Sequence, residues 1–171
     1  MLLISPLPAE SISEAYILFT SGSSGTPKGV RISRNNLNCF VTGGLSAYPV
    51  TSNDRWYQFA NLSFDTSIEE LFIPLCSGGS LCIPPQKNLE FDRLNEYLRD
   101  EQITVMDFPT GYWRQWMQER SSAQLITQHL KLIILGGEAL MPDDVHYWQE
   151  LQPSCTLINT EDPSVIRNHW V

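Results

Sequence analysis

An apolar run at residues 15–19 leads directly into the segment Thr20-Ser21-Gly22-Ser23-Ser24-Gly25-Thr26-Pro27-Lys28-Gly29. Glycines let a backbone approach an anion closely, hydroxyl and N–H groups donate hydrogen bonds, and a lysine supplies a positive charge. This composition predicts a polyphosphate-binding loop after a strand, although plain turns and linkers are also rich in glycine and serine. The segment is not a Walker A loop, because Gly29 rather than serine or threonine follows Lys28.

The length and composition of the chain predict one globular domain with a sizeable core. It has 171 residues, of which 42% are hydrophobic and 18% are charged. The formal net charge of −8 argues against nucleic acid as a partner, because binding to a phosphate backbone needs a basic surface. No apolar run approaches membrane-spanning length, and the first ten residues contain no basic leader region. We therefore expect no membrane partner and a cytosolic location.

The cysteines and histidines indicate neither a metal site nor a disulfide framework. No two cysteines are spaced as a CxxC pair, and the three histidines do not cluster. We expect reduced and mostly buried thiols at Cys39, Cys76, Cys82 and Cys155, and no metal bound by these residues.

Short β-rich runs alternate with helical patterns from residue 15 onward. The predicted strands cover 15–20, 55–60, 80–83, 103–108, 130–135 and 156–159. The predicted helices cover 34–46 after the N-cap Ser33, 66–76 after the N-cap Asp65, 90–101, and a segment after Pro142. This order predicts an α/β fold with a mostly parallel sheet, helices on both faces, and ligands beyond the carboxyl ends of the strands. The glycine-rich loop is expected at such an end.

Four segments, in this order, resemble the adenylate-forming superfamily, which includes acyl-CoA ligases, luciferases and the adenylation domains of nonribosomal peptide synthetases. They are residues 16–30, Phe64-Asp65-Thr66-Ser67 with residues 70–79, Pro109-Thr110-Gly111-Tyr112-Trp113, and Leu135-Gly136-Gly137-Glu138-Ala139-Leu140. The second segment is similar to amino-acid-activating adenylation domains in particular. The resemblance implies a partial adenylation domain at 15–160, within the family's large N-terminal domain. A short lead-in at 1–14 precedes it, and an off-pattern tail at 161–171 follows.

The resemblance implies that a carboxylate attacks the α-phosphate of Mg·ATP, which yields an acyl-adenylate and pyrophosphate. The implied ligands are therefore ATP and Mg²⁺. The residues implied at the β- and γ-phosphates are Thr20, Ser21, Gly22, Ser23, Ser24, Gly25, Thr26 and Lys28, and Lys28 is also the catalytic candidate. Gly136, Gly137 and Glu138 are implied beside the adenosine, and a simple strand-to-helix turn is the alternative for them.

The resemblance also implies an amino-acid site. In amino-acid-activating members the aspartate at the position of Asp65 pairs with the α-ammonium group of the substrate, a contact that acyl-CoA ligases do not need. A helix N-cap is the alternative role for Asp65. The implied substrate-binding residues are Phe64, Asp65, Thr66, Glu69, Asp107, Ile133 and Leu135. Glu69 and Asp107 would suit a polar or cationic side chain, unless Glu69 faces solvent and Asp107 is hydrogen-bonded at its strand end.

The chain departs from the family pattern after Thr160. The next family signature is normally Tyr-Gly-Pro-Thr-Glu, whereas this chain continues Glu161-Asp162-Pro163-Ser164-Val165. The aromatic residue that stacks on adenine and the glutamate that binds magnesium therefore have no counterparts at Glu161 and Val165. We expect a truncated or frameshifted product or one part of a split enzyme, inactive by itself. A complementary adenylation fragment or a carrier protein is its expected partner.

Three functions remain open from the sequence. The preferred one is ATP-dependent activation of an amino acid by an incomplete adenylation domain of the nonribosomal peptide synthetase type. The second is a non-catalytic remnant that binds nucleotide or docks on a partner chain. The third is a fragment of an acyl- or aryl-CoA ligase, and Asp65 in its Phe-Asp-x-Ser setting argues against it.

Overall fold

The computed structural model describes residues 14–20, 26–87, 89–118, 129–151 and 154–160. Its helices and strands alternate along most of the chain. In order they are β1 (Glu14–Thr20), β2 (Lys28–Ser33), α1 (Arg34–Ala47), β3 (Arg55–Tyr57), α2 (Thr66–Ser77), β4 (Ser80–Cys82), α3 (Phe91–Asp100), β5 (Val105–Pro109), α4 (Thr110–Gln118), β6 (Leu132–Gly136), α5 (Pro142–Leu151) and β7 (Thr156–Asn159).

Five of these strands form one parallel sheet in the order β4-β3-β5-β6-β7. Every neighbouring pair in this sheet is parallel, so the predicted α/β class is confirmed. The chain first builds outward from β3 to β4 and then returns to add β5, β6 and β7 on the other side of β3. The direction of winding therefore reverses between β3 and β5. In open parallel sheets a ligand crevice forms at such a reversal, beyond the carboxyl ends of the strands.

The strand that leads into the glycine-rich segment does not belong to the parallel sheet. β1 is present, but it pairs antiparallel with β2 and not with the parallel sheet, and Thr20 stands opposite Lys28. The segment thus connects two strands of a hairpin, and the expectation that it extends from a strand of the parallel sheet was wrong. β2 was not predicted, because Pro27 and Gly29 at its start are typical of turns. α4 was also not predicted.

Strand alternation divides the core into two layers, one on each face of the parallel sheet. Successive side chains of a strand point to opposite faces. The layer beneath α1 and α2 contains Trp56, Ile73, Val105, Leu132, Ile134 and Ile158. The layer beneath α3, α4 and α5 contains, among others, Leu94, Met106, Phe108, Trp113, Trp116, Ile133, Leu135 and Trp148. Helices therefore cover both faces, as predicted.

The predicted helix caps are confirmed. The Ser33 hydroxyl accepts a 3.1 Å hydrogen bond from the backbone N–H of Asn36, whose side chain completes a capping box. The Asp65 carboxylate accepts a 3.0 Å bond from the Thr66 N–H at the start of α2. Gly78 ends α2 with φ of 82°, a conformation that favours glycine. Local sequence therefore sets both ends of α2, the helix that carries the site described below.

None of the four cysteines, all of which lie in the described residues, forms a disulfide, and only two of them are buried. Cys82 and Cys155 lie in the core, whereas Cys39 on α1 and Cys76 on α2 are exposed. The expectation of mostly buried thiols was wrong for these two, because each lies on a side of its helix that faces away from the sheet. None of the helices in the described residues is long and apolar enough to cross a membrane.

Candidate functional site

A cavity of about 730 Å³ opens at the carboxyl ends of the parallel strands, at the reversal between β3 and β5. The segment after β3, the beginning of α2 and the ends of β5 and β6 supply most of its wall. The lining residues are Phe40, Phe59, Ala60, Asn61, Phe64, Asp65, Thr66, Glu69, Lys87, Asp107, Phe108, Pro109, Ile134, Gly136, Gly137 and Thr160. The cavity therefore lies where the fold class predicts a ligand.

The structure brings most of the predicted substrate and adenosine residues to this cavity. Five of the seven substrate candidates line it, namely Phe64, Asp65, Thr66, Glu69 and Asp107. Gly136 and Gly137 line it as well. These residues come from three separate elements, α2, β5 and the end of β6, so the folded chain converges them on one space.

Ile133 and Leu135 do not reach the cavity. Both are fully buried in the layer beneath α3, α4 and α5. Ile134 between them faces α2 and lines the cavity instead. Residues 132–135 are apolar at every position, so hydrophobic periodicity does not show which side chains face which helices. Placing Ile133 and Leu135 at the pocket was therefore an error of one residue in register.

Asp65 both caps α2 and lines the cavity. Its Oδ1 accepts the 3.0 Å hydrogen bond from the Thr66 N–H, and its side chain is exposed toward the cavity. A carboxylate at a helix N-terminus is favoured by the helix dipole. Burial, and secondarily the charge of Asp65, raises the pKa of Tyr16 in β1. The two roles considered for Asp65 are therefore compatible in one conformation.

Glu69 and Asp107 both line the cavity, and their carboxylates are close enough for the charge of Glu69 to act on Asp107. Asp107 is only 4% exposed and lies in the middle of β5 on the side of α2. Burial raises its pKa well above the usual range, and the charges of Glu69 and Glu70 raise it further. Burial also raises the pKa of Glu69. A hydrogen bond from the Tyr48 hydroxyl opposes this shift, and the charge of Asp65 adds to it.

The Tyr48 hydroxyl donates to the Glu69 carboxylate, but the other carboxylate oxygen of Glu69 and the Asp107 carboxylate have no donor in the described residues. Within the described part of the chain no group donates a hydrogen bond to the Asp107 carboxylate, and none forms an ion pair with it. The Oε1 atom of Glu69 is buried without a hydrogen-bond partner there. The alternatives of a solvent-facing Glu69 and a hydrogen-bonded Asp107 at a strand end were therefore wrong.

Glu70 holds the cavity wall that follows β3. It is fully buried, and its carboxylate accepts hydrogen bonds from the backbone N–H groups of Phe59 at 3.1 Å and Ala60 at 3.0 Å. The Gln58 side chain donates to Glu70 at 3.2 Å and also to the Ala60 carbonyl. Burial is the main cause that raises the pKa of Glu70 to about 7, and these hydrogen bonds oppose the shift. Glu70 was not predicted as a site residue, although it lies inside the second family-like segment.

Three polar side chains hold the segment that follows β6. The Thr110 hydroxyl donates to the carbonyls of Gly136 at 3.1 Å and Glu138 at 3.0 Å, and the Asn159 amide donates to the latter at 3.2 Å. The Arg114 guanidinium contacts the Glu138 carboxylate at 2.8 Å, so that carboxylate is engaged outside the cavity.

Gly137 has φ of 85°, and among the described residues no atom lies within 4 Å of the position a Cβ would take. The backbone of this segment is thus held by hydrogen bonds to its carbonyl groups, and there is open space beside Gly137. Thr110, Arg114 and Asn159 were missed as supports, although Thr110 lies in the third family-like segment and Asn159 ends a predicted strand.

The described residues include only part of the predicted phosphate site. Thr20 ends β1, and Thr26 and Lys28 lie at the start of the returning strand, all three exposed. Ser21, Gly22, Ser23, Ser24 and Gly25 lie outside the described residues, as do Glu161 and Val165. No group of three or more His, Cys, Asp or Glu side chains within the described ranges is arranged to hold a metal ion.

The parallel sheet, its crevice and the ordered motifs define a chain of the adenylate-forming class. The AMP-binding enzyme family matches residues 5–161, and the chain belongs to this family. It is 36% identical to an isonitrile lipopeptide synthase of Streptomyces coeruleorubidus over 88% of this chain and 10% of that protein. It is 33% identical to gramicidin S synthase 1 of Brevibacillus brevis over 96% of this chain and 15% of that protein. The chain thus spans a small part of the length of these relatives.

A solved structure shows the same fold. The N-terminal subdomain of NpsA from Klebsiella oxytoca, in complex with 3-hydroxyanthranilyl-AMSN, superposes with a TM-score of 0.72. The sequence identity is 23%, and the match covers 91% of this chain and 39% of that one. The fold is therefore that of the N-terminal subdomain of an adenylate-forming enzyme.

Proposed function

We propose that this chain activates an amino acid with ATP as part of an adenylation domain of the nonribosomal peptide synthetase type. The observation that carries the proposal is the Asp65 carboxylate, which is held at the N-terminus of α2 and lines the cavity. An α-ammonium group would form a charge-assisted hydrogen bond with it. The names of the two relatives, a lipopeptide synthase and a gramicidin synthase, agree with an amino acid as substrate.

The proposal places the adenine base of ATP beside the end of β6. A planar base could approach the Gly137 backbone there, since among the described residues no atom lies within 4 Å of the position of its missing Cβ. Thr110 and Asn159 hold the adjoining carbonyls in place from the other side. We place the β- and γ-phosphates at residues 20–26 with Lys28 as their cation. Mg²⁺ is expected as the ion that accompanies ATP.

In this arrangement the chain contributes chiefly position and charge. The amino-acid carboxylate attacks the α-phosphorus of ATP, the bond to the β-phosphate oxygen breaks, and pyrophosphate leaves. Lys28 would neutralise the charge that collects on pyrophosphate. We assign residues 15–160 to the partial adenylation domain, 1–14 to a lead-in and 161–171 to a tail. Because Glu161 and Val165 replace the expected aromatic and glutamate, residues 1–171 alone are expected to be inactive, with a carrier protein or a complementary adenylation fragment as partner.

The test is amino-acid binding measured by ligand-observed NMR. We expect the chain to bind an α-amino acid in the presence of AMP and to bind the matching acid without its amino group at least tenfold more weakly. Asp65→Asn should abolish this preference, because it removes the charge that pairs with the α-ammonium group. Asp143→Asn changes an exposed aspartate on α5 and serves as the control. Equal binding of the two acids by the wild-type chain would refute the proposal and favour an acyl- or aryl-CoA ligase.

A further inference from the structure

We infer that Asp107 and Glu69 form a recognition site for the cationic side chain of a basic amino acid. The inference rests on the proposed function, because it assigns a side chain to the substrate whose α-ammonium group Asp65 would hold. It goes further in naming the class of amino acid and the two residues that select it.

The first argument is the environment of Asp107. Its side chain lines the cavity although the residue is only 4% exposed. Among the described residues no donor and no cation contacts its carboxylate, and the nearby charges are those of Glu69 and Glu70. A buried carboxylate without hydrogen bonds or a counter-ion is unfavourable to folding. Such a group at a cavity wall is typical of a site that a ligand completes.

The second argument is the position of Glu69 on α2. It lies one helical turn beyond Asp65, about 6 Å along the axis, on the same side of the helix. Both residues line the cavity, and the buried Oε1 of Glu69 has no partner in the described structure. A ligand bound through its α-ammonium at Asp65 would therefore extend its side chain past Glu69 toward Asp107.

The third argument is the charge balance of the cavity wall. Its described residues include three carboxylates, at Asp65, Glu69 and Asp107, and one cation, the exposed Lys87. The Tyr48 hydroxyl donates to the Glu69 carboxylate, but an amino acid with an aliphatic side chain would leave the buried Oε1 of Glu69 and the Asp107 carboxylate without donors. A lysine, ornithine or arginine side chain carries both the positive charge and the several N–H donors that two carboxylates can accept.

The experiment compares lysine with its neutral isostere 6-hydroxynorleucine. Both are titrated into the full chain with AMP present, and binding is followed by ligand-observed NMR, with arginine and ornithine as further probes. We expect at least one basic amino acid to bind tenfold or more tightly than 6-hydroxynorleucine. Asp107→Asn and Glu69→Gln should each reduce this preference by at least threefold. The control variant Asp143→Asn should not change the preference for the basic amino acid.

A stability readout separates ligand recognition from a structural role. In the absence of ligand, Asp107→Asn should raise the melting temperature, because it replaces an unpartnered buried acid with a neutral amide. A lower melting temperature would assign Asp107 to the fold and overturn the inference.

The outcomes distinguish this inference from the proposed function. Equal binding of basic and isosteric neutral amino acids, both weakened by Asp65→Asn, overturns the inference and leaves amino-acid activation standing. Binding that is insensitive to Asp65→Asn, or no amino-acid binding, overturns both.

Discussion

The backbone N–H of Ala60 donates to both carboxylate oxygens of Glu70, at 3.0 Å each. Ten residues of chain separate the two partners, and the contact joins α2 to the segment after β3. Phe59 and Ala60 line the cavity, so a buried side chain that never faces the ligand fixes one wall of the site.

Replacing Glu70 should therefore weaken the fold. Glu70→Ala leaves the buried N–H groups of Phe59 and Ala60 without an acceptor, and we expect the free energy of unfolding to fall by about 1–3 kcal/mol. Urea unfolding followed by tryptophan fluorescence measures this change. Glu96→Ala, at an exposed position on α3, is the control and should have little effect. An unchanged unfolding midpoint in Glu70→Ala would contradict the conclusion that Glu70 stabilises the segment after β3.

Stability should fall as pH rises toward neutrality. The pKa of Glu70 is about 7 in the folded chain against an ordinary value of 4.5, and the pKa values of Glu69 and Asp107 are also raised. The folded state therefore binds more protons than the unfolded state in this window, so the free energy of unfolding decreases as pH increases from about 4.5 to about 7.

The other groups near this cluster do not reverse that slope. The pKa of the Tyr48 and Tyr57 hydroxyls is raised above 10. The pKa of Asp54 is lowered by its hydrogen-bonded ion pair with Lys131, although burial opposes the shift. Its contribution to stability is complete above pH 4 and constant across the window. Urea titrations at pH 5.0 and 7.5 test the sign, and Asp107→Asn should flatten the dependence. Greater stability at pH 7.5 would show that the three acids are not buried together as described.

Two adjacent glycines in α1 should respond differently to replacement by alanine. A Cβ on Gly44 would lie 2.3 Å from Cδ1 of Ile73 in α2, whereas a Cβ on Gly43 would meet no atom within 4 Å. Gly43→Ala should raise the free energy of unfolding by up to about 1 kcal/mol, because alanine favours a helix. Gly44→Ala should gain less or lose stability, because Ile73 has to shift. Equal gains in chemical denaturation would show that α1 and α2 are not closely packed here.

Nucleotide binding should depend on Lys28. If Lys28 contacts the β- and γ-phosphates, Lys28→Ala should weaken ATP binding by about tenfold or more and leave AMP binding nearly unchanged. Isothermal titration calorimetry with both nucleotides measures the difference. Arg93→Ala removes an exposed cation on α3 and is the matched control. Equal losses for ATP and AMP would place Lys28 away from those phosphates.

Local patterns in the sequence determined much of this fold. The strands β5, β6 and β7 and the helices α1, α2, α3 and α5 were predicted within a few residues, because each has its own apolar run or periodicity. The caps Ser33 and Asp65 and the terminator Gly78 act on their own helix ends, so short-range chemistry is enough to recognise them. The resemblance likewise identified the family and seven of the residues that line the cavity.

Tertiary structure alone decided the pairing, facing and burial of particular residues. β1 joins β2 instead of the parallel sheet because pairing depends on long-range backbone hydrogen bonds. In β6 the pleat turns Ile134 toward α2 and turns Ile133 and Leu135 away, a choice that four consecutive apolar residues do not encode. The unpartnered burial of Asp107 likewise depends on α2 lying over β5, because a side chain is desolvated by what packs against it and not by its neighbours in the chain.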